Sequence, residues 1–254
     1  MRTKHLVLIH GAWQGSWSWD AWRPELLRQG WQVHAVDLPG NGCDPRDRTM
    51  PADVTLNLYV EHVLRLLRTL DGPAVVLGHS GGGITASQVA DAAPECVACL
   101  VYLAGMMLPD CCTYAGLISR YRERHPDFDP RGVGPHLQWS ADGLLSSVPA
   151  TAARQIFLQD CAPELAMQAV AKLRPQPEGG RAMAPSLRAE RFGSVPRIYV
   201  EALLDQSLHL PLQRLMQELT PGAVRLSLAC GHVPQLVQPQ QLSAALLPLL
   251  DRYF

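Results

Sequence analysis

Short apolar runs alternate with helix-like segments over the first 105 residues. Strand-type runs occur at residues 6–9, 33–37, 74–77 and 97–104, and helical spacing of apolar positions occurs at residues 55–70 and 81–91. Buried strands that alternate with helices are typical of a parallel sheet covered by helices. This part of the chain is therefore predicted to be an α/β sheet domain.

The pattern changes between residues 107 and 192, where Met, Cys, Arg, Pro and Gly dominate and β-branched runs are absent. Strand-type runs return at residues 197–200 and 223–228, and a final helix is predicted from 240 to 253. We therefore predict one α/β core formed by residues 1–106 and 193–254, with a mainly helical cap inserted at residues 107–192.

Composition and charge narrow the class of protein. The chain has 254 residues, of which 47% are hydrophobic and 18% are charged, enough to bury a sizeable core in one domain. Its 22 basic and 23 acidic residues nearly cancel, so neither nucleic acid nor membrane is expected as a partner. The apolar run at 6–9 is short for a signal peptide, and no run approaches the roughly 18 apolar residues of a membrane span.

The seven cysteines are odd in number and scattered along the chain. This distribution is unlike a small secreted disulfide scaffold, so we expect a reducing compartment, the cytoplasm. Cys96 and Cys99 form a C-x-x-C pair, but no second ligand pair completes a zinc site. We read these two cysteines as small apolar side chains.

The segment Gly78-His79-Ser80-Gly81-Gly82 fits the pattern G-x-S-x-G. It follows a predicted strand and precedes a predicted helix, which is the context of a nucleophile elbow. The strained turn requires residues almost without side chains at positions 78 and 82, and the helix amino terminus favours developing negative charge. Ser80 is therefore the predicted nucleophile.

A serine hydroxyl needs a base that accepts its proton and an acid that orients the base. His232 lies in the loop after the last predicted strand, and Asp205 lies in the loop after the strand before it. The order serine, aspartate, histidine is the order of an α/β-hydrolase triad. Other histidines and aspartates near predicted strand ends stay open as rivals: His10, His79, Asp110 and Asp37.

A tetrahedral intermediate also needs two backbone N–H donors near the nucleophile. The residue after the nucleophile, Gly81, is expected to supply one. The loop after the first strand, residues 10–13, is expected to supply the other, with the N–H of Ala12 as our choice. Both donors are predicted from position alone.

At these residues, and in the segments 10–19, 36–42, 103–110 and 191–200, the sequence resembles the α/β-hydrolase superfamily. Within it, the similar branch contains plant methyl esterases, such as salicylate methyl-ester hydrolases, and plant hydroxynitrile lyases. The resemblance implies an α/β-hydrolase fold with a mainly parallel eight-stranded sheet, flanking helices and a helical cap above Ser80. It also implies that no metal and no organic cofactor is used.

Three positions separate the two chemistries of this branch. Hydroxynitrile lyases of this type carry a threonine where Gly11 stands, an acidic residue where His79 stands, and a lysine where Val233 stands. That lysine stabilises the departing cyanide, and an apolar side chain cannot. All three departures favour the hydrolase.

We therefore predict a serine carboxylic-ester hydrolase for small hydrophobic or aromatic esters, with methyl esters favoured. Two alternatives stay open: cyanohydrin cleavage, and a non-catalytic receptor for a small molecule. The partner is a small-molecule ester, and a homodimer is left open. Aromatic and Met side chains give adaptable apolar walls, and four are candidates for the substrate pocket: Trp13, Met106, Tyr121 and Trp139.

Overall fold

Six parallel strands form the central sheet of the protein, whose computed structural model describes residues 3–130 and 132–254. The strand bounds are β1 Lys4–Ile9, β2 Trp31–Val36, β3 Ala74–His79, β4 Val97–Leu103, β8 Arg197–Ala202 and β9 Ala223–Leu228. The spatial order is β2-β1-β3-β4-β8-β9, and every neighbouring pair is parallel. Each strand coincides with one apolar run of the sequence.

The inner strands of the sheet are buried on both faces, to which successive side chains of a strand point in turn. Val7 and Ile9 of β1 belong to one hydrophobic cluster, and Leu6 and Leu8 belong to the other. All four side chains are fully buried. Burying a side chain of this size stabilises the fold by about 1.5–3 kcal/mol, so two-sided burial accounts for the continuous apolar runs.

Helices cover both faces of the sheet. Their bounds are α1 Arg23–Arg28, α2 Leu56–Leu67, α3 Gly82–Ala92, α4 Tyr114–Arg124, α5 Ala150–Ile156, α6 Pro163–Lys172, α7 Leu210–Leu219, α8 Pro234–Val237 and α9 Pro239–Leu250. The Thr55 side chain caps α2 by accepting a hydrogen bond from the Leu58 N–H. Within the described ranges, none of the helices has both the length and the apolarity needed to cross a bilayer.

The structure corrects one expectation and adds detail to another. The resemblance implied eight strands, but the described residues form a six-stranded main sheet, because the chain has six apolar runs of strand type and each forms one strand. Residues 107–192, called the insert below, are not only helical. They include a small antiparallel sheet of β5 Gln138–Trp139, β6 Leu145–Ser147 and β7 Gln176–Pro177, whose strands are too short to show alternation in the sequence.

The strand order brings the predicted site residues together at the carboxyl ends of the strands. Strand β1 lies between β2 and β3, so the chain changes direction of growth there. Ligands of open α/β sheets bind beyond the carboxyl ends of the strands at such a switch point. Residues 10–13 follow β1 and residue 80 follows β3, so both segments begin at this point.

Candidate active site

Ser80 lies in a strained turn between β3 and α3. Its φ is 51°, in the left-handed region that a residue with a side chain rarely adopts. A Cβ added to Gly78 would lie 2.6 Å from the Gly82 oxygen, and one added to Gly82 would lie 2.5 Å from the His10 oxygen. The turn therefore requires glycine on both sides of Ser80, as the nucleophile-elbow interpretation predicted.

Backbone hydrogen bonds hold this turn in place. The carbonyl oxygen of Ser80 accepts from the Met106 N–H at 2.8 Å and from the Gly83 N–H at 3.0 Å. The Ser80 N–H donates to the Leu103 oxygen at 3.4 Å. The turn is thus fixed by the end of β4 and by the first turn of α3.

Asp205 and His232 form a buried pair. His232 Nδ1 lies 2.6 Å from Asp205 Oδ2, and both side chains are almost fully buried. The other carboxylate oxygen of Asp205 accepts from the N–H groups of Ser207 at 2.7 Å and Leu208 at 2.9 Å. These contacts fix the Nδ1–H tautomer of the imidazole and leave Nε2 as the basic nitrogen.

The rival acids have other partners. Asp110 Oδ1 accepts from the Leu187 N–H at 2.7 Å. The Asp37 carboxylate accepts from the Ser16 N–H at 2.6 Å and from the Ser16 hydroxyl at 3.0 Å. Neither carboxylate contacts His232, whereas Asp205 does.

His79 lies fully buried beside His232. The two ring centroids are 4.8 Å apart, and His79 Nε2 lies 2.8 Å from the His232 carbonyl oxygen. Burial lowers the pKa of His79 well below its usual value, and the neighbouring imidazole of His232 lowers this pKa further. His79 is therefore neutral, and its Nε2–H donates to the His232 carbonyl.

His10 is also a buried, neutral histidine. Its Nδ1 lies 2.8 Å from the Gly11 oxygen, and its Nε2 accepts from the Leu38 N–H at 3.1 Å. Burial lowers the pKa of His10, which agrees with one donating and one accepting nitrogen. Both ring nitrogens are occupied, so His10 supports the loop after β1.

Two backbone N–H groups, those of Ala12 and Gly81, belong to residues that lie close together beside Ser80. A Cβ built on Gly81 would lie 3.9 Å from the Ala12 nitrogen. Within residues 3–130 and 132–254, the N–H groups of Ala12 and Gly81 donate to no protein acceptor. They are thus free to bind an oxygen of a ligand, which is the arrangement that an oxyanion hole requires.

The loop that carries Ala12 is tied to the insert through Gln176, which the sequence reasoning did not single out. Trp13 has a φ of 62°, and its N–H donates to Gln176 Oε1 at 3.3 Å. The same oxygen accepts from the Asn41 side chain at 3.1 Å, and Gln176 Nε2 donates to the Tyr59 hydroxyl at 3.1 Å. An isolated Gln within the insert has no sequence signature that could have indicated this role.

Ser80 and His232 are linked indirectly, through His79. Among the described residues, no hydrogen bond joins the Ser80 hydroxyl to the imidazole of His232. His79, adjacent to Ser80 in the chain, contacts both the ring and the carbonyl of His232. Catalytic hydrogen bonds are often long before a substrate binds and tighten in the complex.

A cavity of about 520 Å³ opens above Ser80 and extends between the core and the insert. Binding sites for small molecules have volumes of about 300–1,000 Å³, so this cavity has the size of a ligand site. Its core lining includes Ala12, Trp13, Ser80, Gly81 and Met106. Its insert lining includes Tyr114, Ile118, Val133, Leu137, Arg181 and Met183.

Two of the four predicted pocket residues, Trp13 and Met106, line this cavity. Tyr121 instead lines a surface cleft between α4 and α7, where its ring stacks on His125. Trp139 is 47% exposed and stacks under Arg181, a residue that itself lines the cavity. The structure therefore does not bring Tyr121 or Trp139 into the lining described here.

Arg181 was not expected in the pocket. Its guanidinium is paired with the Glu178 carboxylate through two contacts of 2.7 Å each. This pair keeps the positive charge of Arg181 from facing the cavity alone. Within the described ranges, no group of three His, Cys, Asp or Glu side chains is arranged to hold a metal ion.

Comparison with known proteins decides the family. The profile of the alpha/beta hydrolase family matches residues 6–245. The chain belongs to the α/β-hydrolase family. It is 30% identical to methylesterase 3 of Arabidopsis thaliana over 272 residues, covering 99% of this chain and 98% of that protein.

Other members of the family show the same relationship. Salicylic acid-binding protein 2 of Nicotiana tabacum is 29% identical, with 98% of each chain covered. A solved pyrethroid hydrolase structure from Sphingobium faniae has a TM-score of 0.84 at 27% identity, covering 98% of this chain and 97% of that one. This member of the α/β-hydrolase family thus lies in the branch that contains the plant methylesterases, and the named relatives confirm the predicted class, carboxylic-ester hydrolase.

Proposed function

We propose that this α/β hydrolase cleaves neutral carboxylic esters with a Ser80–His232–Asp205 triad. The observation that carries the proposal is the juxtaposition of a strained serine turn with two free N–H groups, beside a buried His–Asp pair. Each part is needed for acyl transfer, and all lie at the carboxyl edge of one sheet.

In the first half of the reaction, Ser80 Oγ attacks the ester carbonyl carbon while His232 Nε2 accepts the hydroxyl proton. Asp205 holds Nδ1–H and stabilises the imidazolium that forms. The N–H groups of Ala12 and Gly81 donate to the oxyanion of the tetrahedral intermediate. His232 then returns the proton to the alcohol oxygen, the C–O bond breaks, and an acyl-enzyme remains.

In the second half, a water molecule attacks the acyl carbon and gives its proton to His232. The second tetrahedral intermediate collapses, Ser80 regains its proton, and the carboxylic acid leaves. Within the protein, only Ser80 and His232 gain or lose a proton, while Asp205 and the two N–H donors stabilise the charges by hydrogen bonds. The reaction as proposed requires no cofactor.

The cavity supports a neutral, hydrophobic or aromatic acyl group. Most of its lining side chains are apolar, and the charge of Arg181 is already balanced by Glu178. A free carboxylate would find no unbalanced cation in that pair. Methanol is the favoured alcohol part of the ester, as the relatives named methylesterases suggest.

The chemistry of hydroxynitrile lyases is disfavoured by the residue after His232. Val233 is fully buried in an apolar cluster and offers no charge to a departing cyanide. Gly11 also has no room for a larger side chain, because an added Cβ would lie 2.8 Å from the Ser80 Cβ. Both observations support the hydrolase.

We further propose that the enzyme works in the cytoplasm. All seven cysteines are free thiols, and Cys99 and Cys230 are buried in the core. Burial raises the pKa of both thiols to about 12, which suppresses reactive thiolate.

The test is a panel of methyl esters, lactones and p-nitrophenyl acetate with the wild type and Ser80→Ala. We expect ester turnover by the wild type and loss of it in Ser80→Ala, while Ser194→Ala, an exposed serine outside the site, keeps full activity. Undiminished turnover by Ser80→Ala would remove Ser80 from the mechanism. Tight stoichiometric ligand binding without turnover would favour a receptor, and cyanide release from mandelonitrile would favour a lyase.

A further inference from the structure

Two adjacent residues of the insert contact the loops that carry Asp205 and His232. Gln159 Nε2 donates to the carbonyl oxygen of Leu204, the residue before Asp205, at 3.0 Å. Asp160 Oδ2 accepts from the N–H of Gly231, the residue before His232, at 2.5 Å. One dipeptide of the insert therefore binds the backbone of both loops.

The two loops are also joined directly at the same place. The Leu204 N–H donates to the Cys230 carbonyl oxygen at 2.9 Å. The loops therefore share one backbone contact of their own, and the insert adds one contact to each of them. The Leu204 N–H therefore binds the histidine loop, and the Leu204 carbonyl oxygen binds the insert.

Gly231 makes this close approach geometrically feasible. A Cβ added to Gly231 would lie 2.3 Å from Gln159 Nε2 and 2.6 Å from Asp160 Oδ1. A side chain at position 231 would therefore push the ends of Gln159 and Asp160 away from the histidine loop. The glycine before His232 is thus explained by contact with the insert rather than by a positive φ.

The dipeptide is poorly suited to a role in stability alone. Among the described residues, Gln159 Oε1 and Asp160 Oδ1 are buried oxygens without a hydrogen-bond partner. Leaving buried acceptors unpaired is unfavourable, so apolar residues would pack at lower cost if packing were the only requirement. The same segment also touches the imidazole itself, because the Phe157 ring lies edge-on to His232 with centroids 6.4 Å apart.

We propose that Gln159 and Asp160 are positioning residues, which hold the Asp205 and His232 loops in register and make their alignment depend on the seating of the insert. The proposal rests on the triad proposed above. A displacement of a catalytic group by about 1 Å can lower the rate about 100-fold. Loss of either backbone contact beside the triad is therefore expected to lower the reaction rate.

The first test compares Asp160→Ala with Asp160→Asn, which keeps an acceptor oxygen for the Gly231 N–H. We expect Asp160→Ala to lower kcat about 100-fold with little change in KM, because the imidazole is misaligned while the cavity is unchanged. Asp160→Asn is expected to restore most of kcat. Gln159→Leu should lower kcat in the same way, whereas Gln155→Leu, an exposed glutamine on α5, should not.

Two readouts need no ester substrate. The proton shared by His232 Nδ1 and Asp205 is followed by NMR in the wild type and in the variants, and Ser80 labelling by a fluorophosphonate is followed by mass spectrometry. We expect Asp160→Ala and Gln159→Leu to shift or broaden that proton resonance and to slow labelling, with recovery in Asp160→Asn. If Asp160→Ala does not fold, Gln159→Leu and Gly231→Ala perturb the same contacts and decide the question.

The outcomes separate the two proposals. A wild type that does not react with the fluorophosphonate contradicts the triad, whereas the NMR comparison still reports on the loop contacts. A folded Gln159→Leu or Asp160→Ala with unchanged kcat, labelling rate and resonance overturns the positioning role. A rise in KM alone, without loss of kcat, overturns it too, because that result assigns the dipeptide to the cavity wall.

Discussion

The core and the insert contribute to the same cavity in different ways. The core supplies Ser80 and Asp205 from loops after β3 and β8, two strands buried along their whole length, and His232 from the loop after the edge strand β9. The insert supplies walls from α4 and from residues 132–137 and 180–183, and elsewhere it exposes large side chains such as Trp139 and Met167. In the proposed mechanism the sheet therefore places the catalytic side chains, whereas the insert provides selectivity and alignment.

The largest expected effect concerns the core pair. Asp205→Asn should lower kcat about 10⁴-fold, because the amide favours the wrong imidazole tautomer while the fold is retained. Asp110→Asn is the matched control, since Asp110 contacts the Leu187 N–H instead of His232. Steady-state kinetics on p-nitrophenyl acetate measure both, and an equal loss in the two variants would reopen the choice of acid.

A smaller effect is expected where the core loop approaches the nucleophile. Gly11→Ala would bring a Cβ within 2.8 Å of the Ser80 Cβ, so the loop that carries the Ala12 N–H must move. Loss of one oxyanion donor costs about 100- to 1,000-fold in kcat, and we expect a loss in that range. Gly72→Ala, which meets no atom within 4 Å, should leave kcat unchanged.

The insert is expected to act on selectivity. Ile118→Trp should narrow the cavity and lower kcat/KM for p-nitrophenyl octanoate by about tenfold, while p-nitrophenyl acetate is hydrolysed as before. Arg122→Trp, one helical turn further along α4 and exposed, is the control. Equal losses for the short and the long ester would mean that this wall positions the triad rather than the acyl chain.

The smallest expected effect is a pH dependence of the free energy of unfolding that arises from the core and not from the insert. Burial lowers the pKa of His79 and His10 in the folded core, whereas histidines of the unfolded chain titrate near 6.5. Below about pH 6.5 the unfolded state binds more protons, so the free energy of unfolding falls as pH falls, by up to ~1.4 kcal/mol per pH unit for each histidine. Above that pH the stabilisation is fully present.

Urea unfolding between pH 5 and 8 measures this dependence. His79→Gln should flatten the acid limb, and His125→Gln, an exposed histidine of the insert, should leave it unchanged. An identical slope in both variants would show that His79 is not the group that carries the dependence.

Much of the core could be predicted from the chain alone. Each of the six apolar runs formed one strand, and the helix expected at residues 81–91 is observed at Gly82–Ala92. The serine turn was visible because its strain demands glycines at fixed positions, and the pairing of Asp205 with His232 followed from the chain order of strand ends. These features depend on local geometry and on the alternation of buried side chains.

The insert could not be predicted in the same way. Tyr121 and Trp139 are of the residue types expected in a pocket, but Tyr121 lines a surface cleft and the exposed Trp139 ring lies against Arg181. Gln159, Asp160 and Gln176 carry no motif, because each contacts a backbone group far away in the chain.

Local sequence therefore determined the sheet, the serine turn and the residue types that the chemistry needs. Their mutual distances, the free N–H groups of Ala12 and Gly81, and the shape of the cavity were decided only when the insert packed on the core. The physical reason is the distance along the chain over which each effect acts. Burial periodicity and backbone strain act over a few residues, whereas contacts such as Asp160 with Gly231 join positions 71 residues apart and exist only in the folded chain.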